Sequence, residues 1–107
     1  MPLQTLKDAL NTTNLPFAHY AWSKSAKEIR GDYGVYAEDG ANDLIADDVH
    51  TEGVLQGTID YFTRDDSGTP KTTIETALNN GKIAWYLNSI QFEDDTGYIH
   101  YEWIFEV

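Results

Sequence analysis

The last eleven residues of the chain, 97–107, constrain its fold more than any other segment. Large apolar residues occupy every second position there. Because side chains alternate between the two faces of a β-strand, three aromatic and two β-branched side chains share one face. These residues are Ile99, Tyr101, Trp103, Phe105 and Val107. A face this apolar must be covered, and in so short a chain most of the other residues are needed to cover it.

The chain has the length of one domain, so we expect residues 1–107 to form a single domain with a thin core. It contains no cysteine, which excludes disulfides, thiolate metal ligands and a cysteine nucleophile. Residues 1–20 show no basic segment followed by a long apolar run, so no signal peptide is expected. No apolar run approaches the ~20 residues of a membrane-spanning helix.

The charge balance is strongly acidic, with 18 Asp and Glu against 7 Lys and Arg, for a net charge of −11. This balance argues against binding to nucleic-acid phosphates or to an anionic membrane surface, since both need clustered basic residues. The content of 3 Trp, 7 Tyr and 4 Phe is typical of a folded domain and not of an acidic disordered segment.

Two segments predict short helices. Leucines recur on one face of residues 3–11, as in an amphipathic helix. A second helix is predicted to begin with Thr69 as the N-cap and Pro70 as its first residue. Gly81 is the expected left-handed residue at the end of this second helix.

Strands are predicted between and after these helices, at residues 17–22, 33–38, 54–63, 82–92 and 98–107. Asp39-Gly40 predicts a turn after the second of them. Residues 41–53 predict a short strand followed by an acidic loop. Helices and strands do not alternate, so the order favours an α+β fold with an antiparallel or mixed β-sheet of about five to six strands and two short helices packed on one face.

The residues that could carry chemistry form no recognisable catalytic pattern. The histidines His19, His50 and His100 have no metal-binding spacing, and no hydrolase, phosphate-loop or Ser/His/Asp motif is present. His50, beside Asp47 and Asp48, is the candidate position for a weak cation, but the EF-hand pattern is absent and a solvated acidic loop is the default interpretation. We therefore predict no enzyme activity and no catalytic, cofactor or metal site.

Aromatic residues are numerous enough that some should be partly exposed. Exposed aromatics beside acidic residues are common at protein interfaces. On this basis the candidate interface residues are Trp22, Tyr33, Tyr36, Asp47 and Asp48. The alternative is that the aromatics simply cover both faces of the sheet.

Several short segments, taken in order, resemble the small tail-completion proteins of long-tailed phages and prophages of Gram-positive bacteria, a tail-to-head joining group similar to tail terminators. The matching segments are residues 6–10 with 15–18, 33–36, the Ala-Asp-Asp of 46–48, 61–66, 74–78 and the closing 101–107. The sequence differs from the family pattern at Gly31-Asp32, where Pro-Pro is common, and at Arg64-Asp65, where Lys-Lys is common.

The resemblance implies a structural function without catalytic residues or cofactors. It implies a virion protein, made in the bacterial cytoplasm, that forms a ring of about six copies at the head-proximal end of the tail tube. Its expected partners are copies of itself, the major tail tube protein and head connector proteins. DNA passes through the channel without specific binding.

Other functions remain open at this point. One is a small acidic inhibitor that binds a basic host enzyme by imitating nucleic acid. Another is a different component of the head–tail connector. A metal-dependent enzyme that uses His50 and the acidic loop is the third.

Overall fold

The computed structural model describes residues 2–20, 31–41 and 55–107. Its elements, in chain order, are α1 (Pro2–Asn11), β1 (Phe17–His19), β2 (Tyr33–Ala41), β3 (Leu55–Thr63), α2 (Thr69–Asn80), β4 (Ala84–Glu93) and β5 (Tyr98–Glu106). This order confirms the predicted α+β class. The strand and acidic loop predicted for residues 41–53 lie outside the described residues, apart from Ala41 at the end of β2.

The five strands form one mixed sheet with the order β1-β2-β3-β5-β4. β1 pairs with β2 in parallel, and the other three pairs are antiparallel. The predicted terminal hairpin is present, with β5 between β3 and β4. The predicted first strand ends at His19, because Tyr20 adopts a left-handed φ of 73°.

The apolar face of β5 forms the centre of the core, as its alternation predicts. Tyr101, Trp103 and Phe105 are buried, and the indole N–H of Trp103 donates a hydrogen bond of 3.0 Å to a carboxylate oxygen of Glu75 on α2. Both helices cover this face, which confirms the predicted layering. The other core residues are Leu6, Ala9, Leu10, Tyr36, Ile59, Tyr61, Ile74, Leu78 and Ile83.

The two helices have the length of globular core helices. Each presents an apolar stripe to the sheet, through Leu6 and Leu10 on α1 and Ile74 and Leu78 on α2. Neither has the length and apolar character needed to cross a lipid bilayer.

The predicted ends of α2 are wrong in detail. Gly68, with φ of 87°, is the N-cap, and Thr69 is already helical, its hydroxyl accepting a hydrogen bond from Ser67 Oγ at 3.0 Å. At the other end Gly81 has a right-handed φ of −82°, and Lys82 takes the left-handed conformation with φ of 59°. A Cβ on Gly81 would lie 3.1 Å from Ala9 Cβ, so glycine allows the close approach of α1.

The turn predicted at Asp39-Gly40 is also wrong, because β2 continues through both residues to Ala41. The register with β3 shifts between Glu38 and Gly40, which marks a β-bulge. Gly57 on β3 lies opposite Glu38, and a Cβ there would come within 2.6 Å of Glu38 Cα. The absence of a side chain at Gly57 therefore allows the bulged backbone of β2 to approach β3 this closely.

We predict that Gly57→Ala destabilises the protein by about 3 kcal/mol, because the new Cβ meets backbone that cannot move aside as a side chain can. Gly31→Ala is the matched control, since nothing lies within 4 Å of a Cβ at that position. Urea unfolding monitored by tryptophan fluorescence measures both. Equal stability of the two variants would contradict the role assigned to Gly57.

Candidate functional site

The large apolar side chains that remain exposed lie at two opposite edges of the sheet. Among the described residues they are Tyr20, Tyr86, Ile90 and Phe92, with exposed fractions of 57%, 57%, 53% and 64%. Tyr20 directly follows β1, and the other three lie on β4. We call Tyr86, Ile90 and Phe92 the β4 edge surface, and His19 with Tyr20 the β1 edge surface.

The β4 edge surface is apolar on both sides of the sheet. Tyr86 is paired with Ile104 and points away from the helices. A register shift between Leu87 and Ser89 follows, after which Ile90 and Phe92 lie on the helix side, beyond the part of the sheet that the helices cover.

β4 also lacks most of the devices that protect edge strands. Within residues 2–20, 31–41 and 55–107, β4 pairs on one side only, with β5. Its sequence contains no proline or lysine, and Glu93 at its end is its single charge. Natural edge strands usually carry such residues to prevent pairing with another chain. The register shift between Leu87 and Ser89 is the protective feature that β4 retains. An apolar edge exposed in this way is suited to contact with another polypeptide.

The β1 edge surface holds its exposed ring in place. His19 stacks between Tyr20, at a centroid distance of 4.1 Å, and Tyr36, at 4.9 Å. His19 Nε2 lies 2.7 Å from a carboxylate oxygen of Glu38. The hydrogen bond with His19 is the main cause that lowers the pKa of Glu38, and the bond to Glu38 is the main cause that raises the pKa of Tyr20. Tyr20 is therefore both exposed and ordered.

The face of the sheet opposite the helices, which we call the helix-free face, carries a row of stacked rings. Phe62 on β3 lies between Tyr33 on β2, at 4.5 Å and 9°, and His100 on β5, at 4.2 Å and 21°. Tyr98 is fully buried beside them, and its hydroxyl donates to the backbone oxygen of Gly31 at 2.7 Å. Aromatic rings therefore cover the helix-free face at this end of the sheet.

His100 is surrounded by carboxylates. Its Nε2 lies 2.7 Å from Asp60 Oδ1 and its Nδ1 lies 3.6 Å from Glu93 Oε2. The hydrogen bond with Asp60 is the main cause that raises the pKa of His100, and burial opposes it. Glu93 and Glu102 add to the increase. The acidic groups therefore favour the imidazolium form.

The grooves on the helical layer bring few reactive groups together. One groove of about 320 Å³ lies between α1 and α2, and Asp8 is the single titratable residue that lines it. A second, of about 410 Å³, is lined by five threonines, Ala77 and Asn80. Among the described residues, no group of three or more His, Asp or Glu side chains is arranged to hold a metal ion.

The predicted interface residues fall into two groups. Trp22, Asp47 and Asp48 lie outside the described residues, so their assignment stays a prediction. Tyr33 and Tyr36 are only 7% and 6% exposed, because both rings stack within the sheet, and they offer a partner little surface.

Sequence reasoning did not single out the residues of the two edge surfaces. The available signals were the aromatic-rich stretch at residues 17–22 and a strand without lysine or proline at residues 84–92. Neither signal says that its segment lies at an edge, because that depends on the order of the strands.

No protein-family model matches the chain, and no curated protein matches it significantly. The support for a function is therefore the geometry of the two edge surfaces together with the resemblance of the short sequence segments.

We predict a pH-dependent contribution of His100 to stability. Because its pKa is raised on folding, the contribution is fully present below the ordinary value of 6.5 and is lost as the pH rises through the folded-state pKa. His100→Gln should lower the free energy of unfolding by about 1 kcal/mol in acid and by less in base. Urea unfolding across this pH range measures the difference. His19→Gln is the control: it leaves the contact between His100 and Asp60 intact, so its free energy of unfolding should still fall as the pH rises through the titration of His100. A difference between wild type and His100→Gln that does not change with pH would refute the prediction.

Proposed function

We propose that this chain is a virion structural protein of a long-tailed phage or prophage. It assembles as a ring at the head-proximal end of the tail tube, completes the tail and joins it to the head. Its partners are further copies of itself, the tail tube protein and the head connector proteins. The protein is made in the bacterial cytoplasm and has no catalytic function.

The observation that carries this proposal is the location of the exposed apolar side chains at both edges of the sheet. A ring needs a head-to-tail contact, in which two different surfaces of each copy are used. The β4 edge surface of one copy and the β1 edge surface of the next, around Tyr20, supply such a pair. A protein with a single self-complementary contact surface would form pairs and not rings.

The charge of the chain agrees with this function. A ring of about six copies at −11 each carries a formal charge of −66. Acidic walls would not retain DNA in transit, since DNA binding depends on neutralised phosphates. The same charge opposes assembly in free solution, because like charges repel across an unfilled interface. The tail tube would then act as the template.

A second candidate is an acidic inhibitor of a basic host enzyme. It is favoured by the carboxylates of the helix-free face and by the absence of Lys and Arg from residues 83–107. On this face lie Asp60, Glu93, Glu102 and Glu106. Capture of one basic enzyme from host lysate, abolished by Glu106→Lys, would favour the inhibitor. A head–tail connector component from another position in the same assembly would instead bind connector proteins.

A pair of single variants tests the head-to-tail contact. Tyr20→Ser removes the exposed ring of the β1 edge surface and Phe92→Ser removes one ring of the β4 edge surface, so neither variant alone should form rings. An equimolar mixture retains one intact contact, between the β4 edge of the first and the β1 edge of the second. At high salt, which screens the repulsion between acidic copies, the mixture should therefore contain pairs, whereas each variant alone stays monomeric in sedimentation velocity.

Gln4→Ser, on the exposed side of α1, is the matched control and should assemble like the wild type. Assembly of Tyr20→Ser alone to the wild-type extent would contradict a head-to-tail contact through this residue.

Ionic strength provides an independent prediction. Ring formation by the wild type should strengthen as salt rises, since salt screens the repulsion between acidic copies. Sedimentation velocity from low to high salt, with and without isolated tail tubes, measures the assembled fraction. Protein that stays monomeric under all of these conditions would refute the proposed ring.

A further inference from the structure

We propose that His100 is a pH-sensitive latch that fixes the end of β4 to the body of the sheet. The latch closes when the imidazole is protonated and opens when it is neutral. The latch can act on assembly because Phe92 of the β4 edge surface directly precedes the latched residue Glu93. That effect on assembly rests on the proposed function. The latch itself is a property of the fold and does not depend on that function.

The geometry of His100 places one carboxylate at each ring nitrogen. Nε2 faces Asp60 on β3 at 2.7 Å, and Nδ1 faces Glu93 on β4 at 3.6 Å. These strands lie on opposite sides of β5, which carries His100. An imidazolium donates from both nitrogens, whereas a neutral imidazole donates from one and presents a lone pair at the other. The neutral ring can therefore satisfy one carboxylate only, and the shorter contact belongs to Asp60.

Within the part of the chain that the structure describes, the charged groups that act on His100 are all acidic. They are Asp60 from β3, Glu93 from β4 and Glu102 from β5 itself. Asp60 and Glu102 are direct cross-strand partners, an arrangement of like charges that is unfavourable unless a cation lies between them. Residues 83–107 contain no Lys or Arg, so the cation that β4 and β5 can supply here is the protonated His100.

The ring is held in position for this function. His100 stacks on Phe62 with a centroid distance of 4.2 Å. Its side chain is 21% exposed, as is that of Asp60, while Glu93 is 33% exposed. Of the two carboxylates, Glu93 is thus the more able to turn to solvent once the imidazole is neutral and the ion pair at Nδ1 is lost.

Release of Glu93 acts on the end of β4 and on the turn to β5. Glu93 is the last residue of β4, and its backbone oxygen accepts the N–H of Gly97, at 2.8 Å, in the turn to β5. β4 is an edge strand, so beyond its pairing with β5 its end is held by this side-chain contact and by the hydroxyl of Thr96, which donates to Glu93 at 3.4 Å. The turn is held in addition by Arg64 Nε, which donates to the Thr96 backbone oxygen at 3.0 Å. Opening of the latch should therefore raise the local opening of the turn and of β4 near Phe92.

Amide hydrogen exchange followed by NMR tests the latch on the full chain. Protection factors remove the intrinsic pH dependence of exchange. In the wild type, protection of the Gly97 amide should fall several-fold as the pH rises through the titration of His100, while that of the Ile83 amide, bonded to Leu78 at the other end of β4, stays constant. The titration is followed in the same samples by the imidazole carbon-bound proton shifts.

Glu93→Gln separates the latch from a general effect of pH. The amide oxygen still accepts the Thr96 hydroxyl, which bonds Glu93 at 3.4 Å, so the turn is retained. In this variant the step in Gly97 protection should disappear, and the pKa of His100 should fall relative to the wild type. His19→Gln removes a histidine from the opposite edge and should keep the step.

Constant protection of Gly97 in the wild type, or an equal step in Glu93→Gln, would overturn the latch. Should Glu93→Gln fold poorly, His100→Gln gives the same comparison, and its Gly97 protection should be independent of pH. These measurements need no assembly, so a failure of ring formation would refute the proposed function and leave the latch decided by exchange alone.

Discussion

The burial of the β5 aromatic side chains against both helices is the interaction on which the rest of the structure depends. Tyr101, Trp103 and Phe105 occupy the middle of the core, and loss of one such ring costs about 3 to 5 kcal/mol in a packed interior. Trp103 adds a hydrogen bond to Glu75, which fixes α2 over the sheet. Because β5 pairs with β3 on one side and with β4 on the other, β4 lies at the edge, and the exposed surface follows from that position.

The two faces of the sheet are stabilised by different chemistry. The helix side is a conventional apolar core, whereas the helix-free face combines stacked rings with a histidine among carboxylates. Such a cluster tolerates its negative charge because His100 bonds Asp60 and because Glu102 accepts hydrogen bonds from Asn88 and Ser89. The repulsion among the carboxylates of this face remains an electrostatic cost, and it depends on pH because it is smaller when His100 is protonated.

Local chemistry predicted the elements better than their ends. The leucine stripe of α1, the alternation of β5 and the terminal hairpin follow from spacing within a few residues, and all are present. The turn predicted at Asp39-Gly40 is wrong because β2 goes on pairing with β3 beyond these residues, which form a β-bulge instead. Gly81 was misread because the approach of Ala9 on α1, and not the conformation of the helix end, requires a glycine there.

The sequence by itself determined the class of the fold, the apolar face of the last strand, the two helices that cover it and an acidic surface. Those properties arise from periodicity and composition, which act over a few residues or over the whole chain. Tertiary structure alone decided which strands lie at the edges and that His100 meets Asp60, 40 positions away in the chain. Strand order is set by long-range packing around β5, and no local pattern records it, so the edge residues Tyr20 and Phe92 become visible as a surface only in the folded protein.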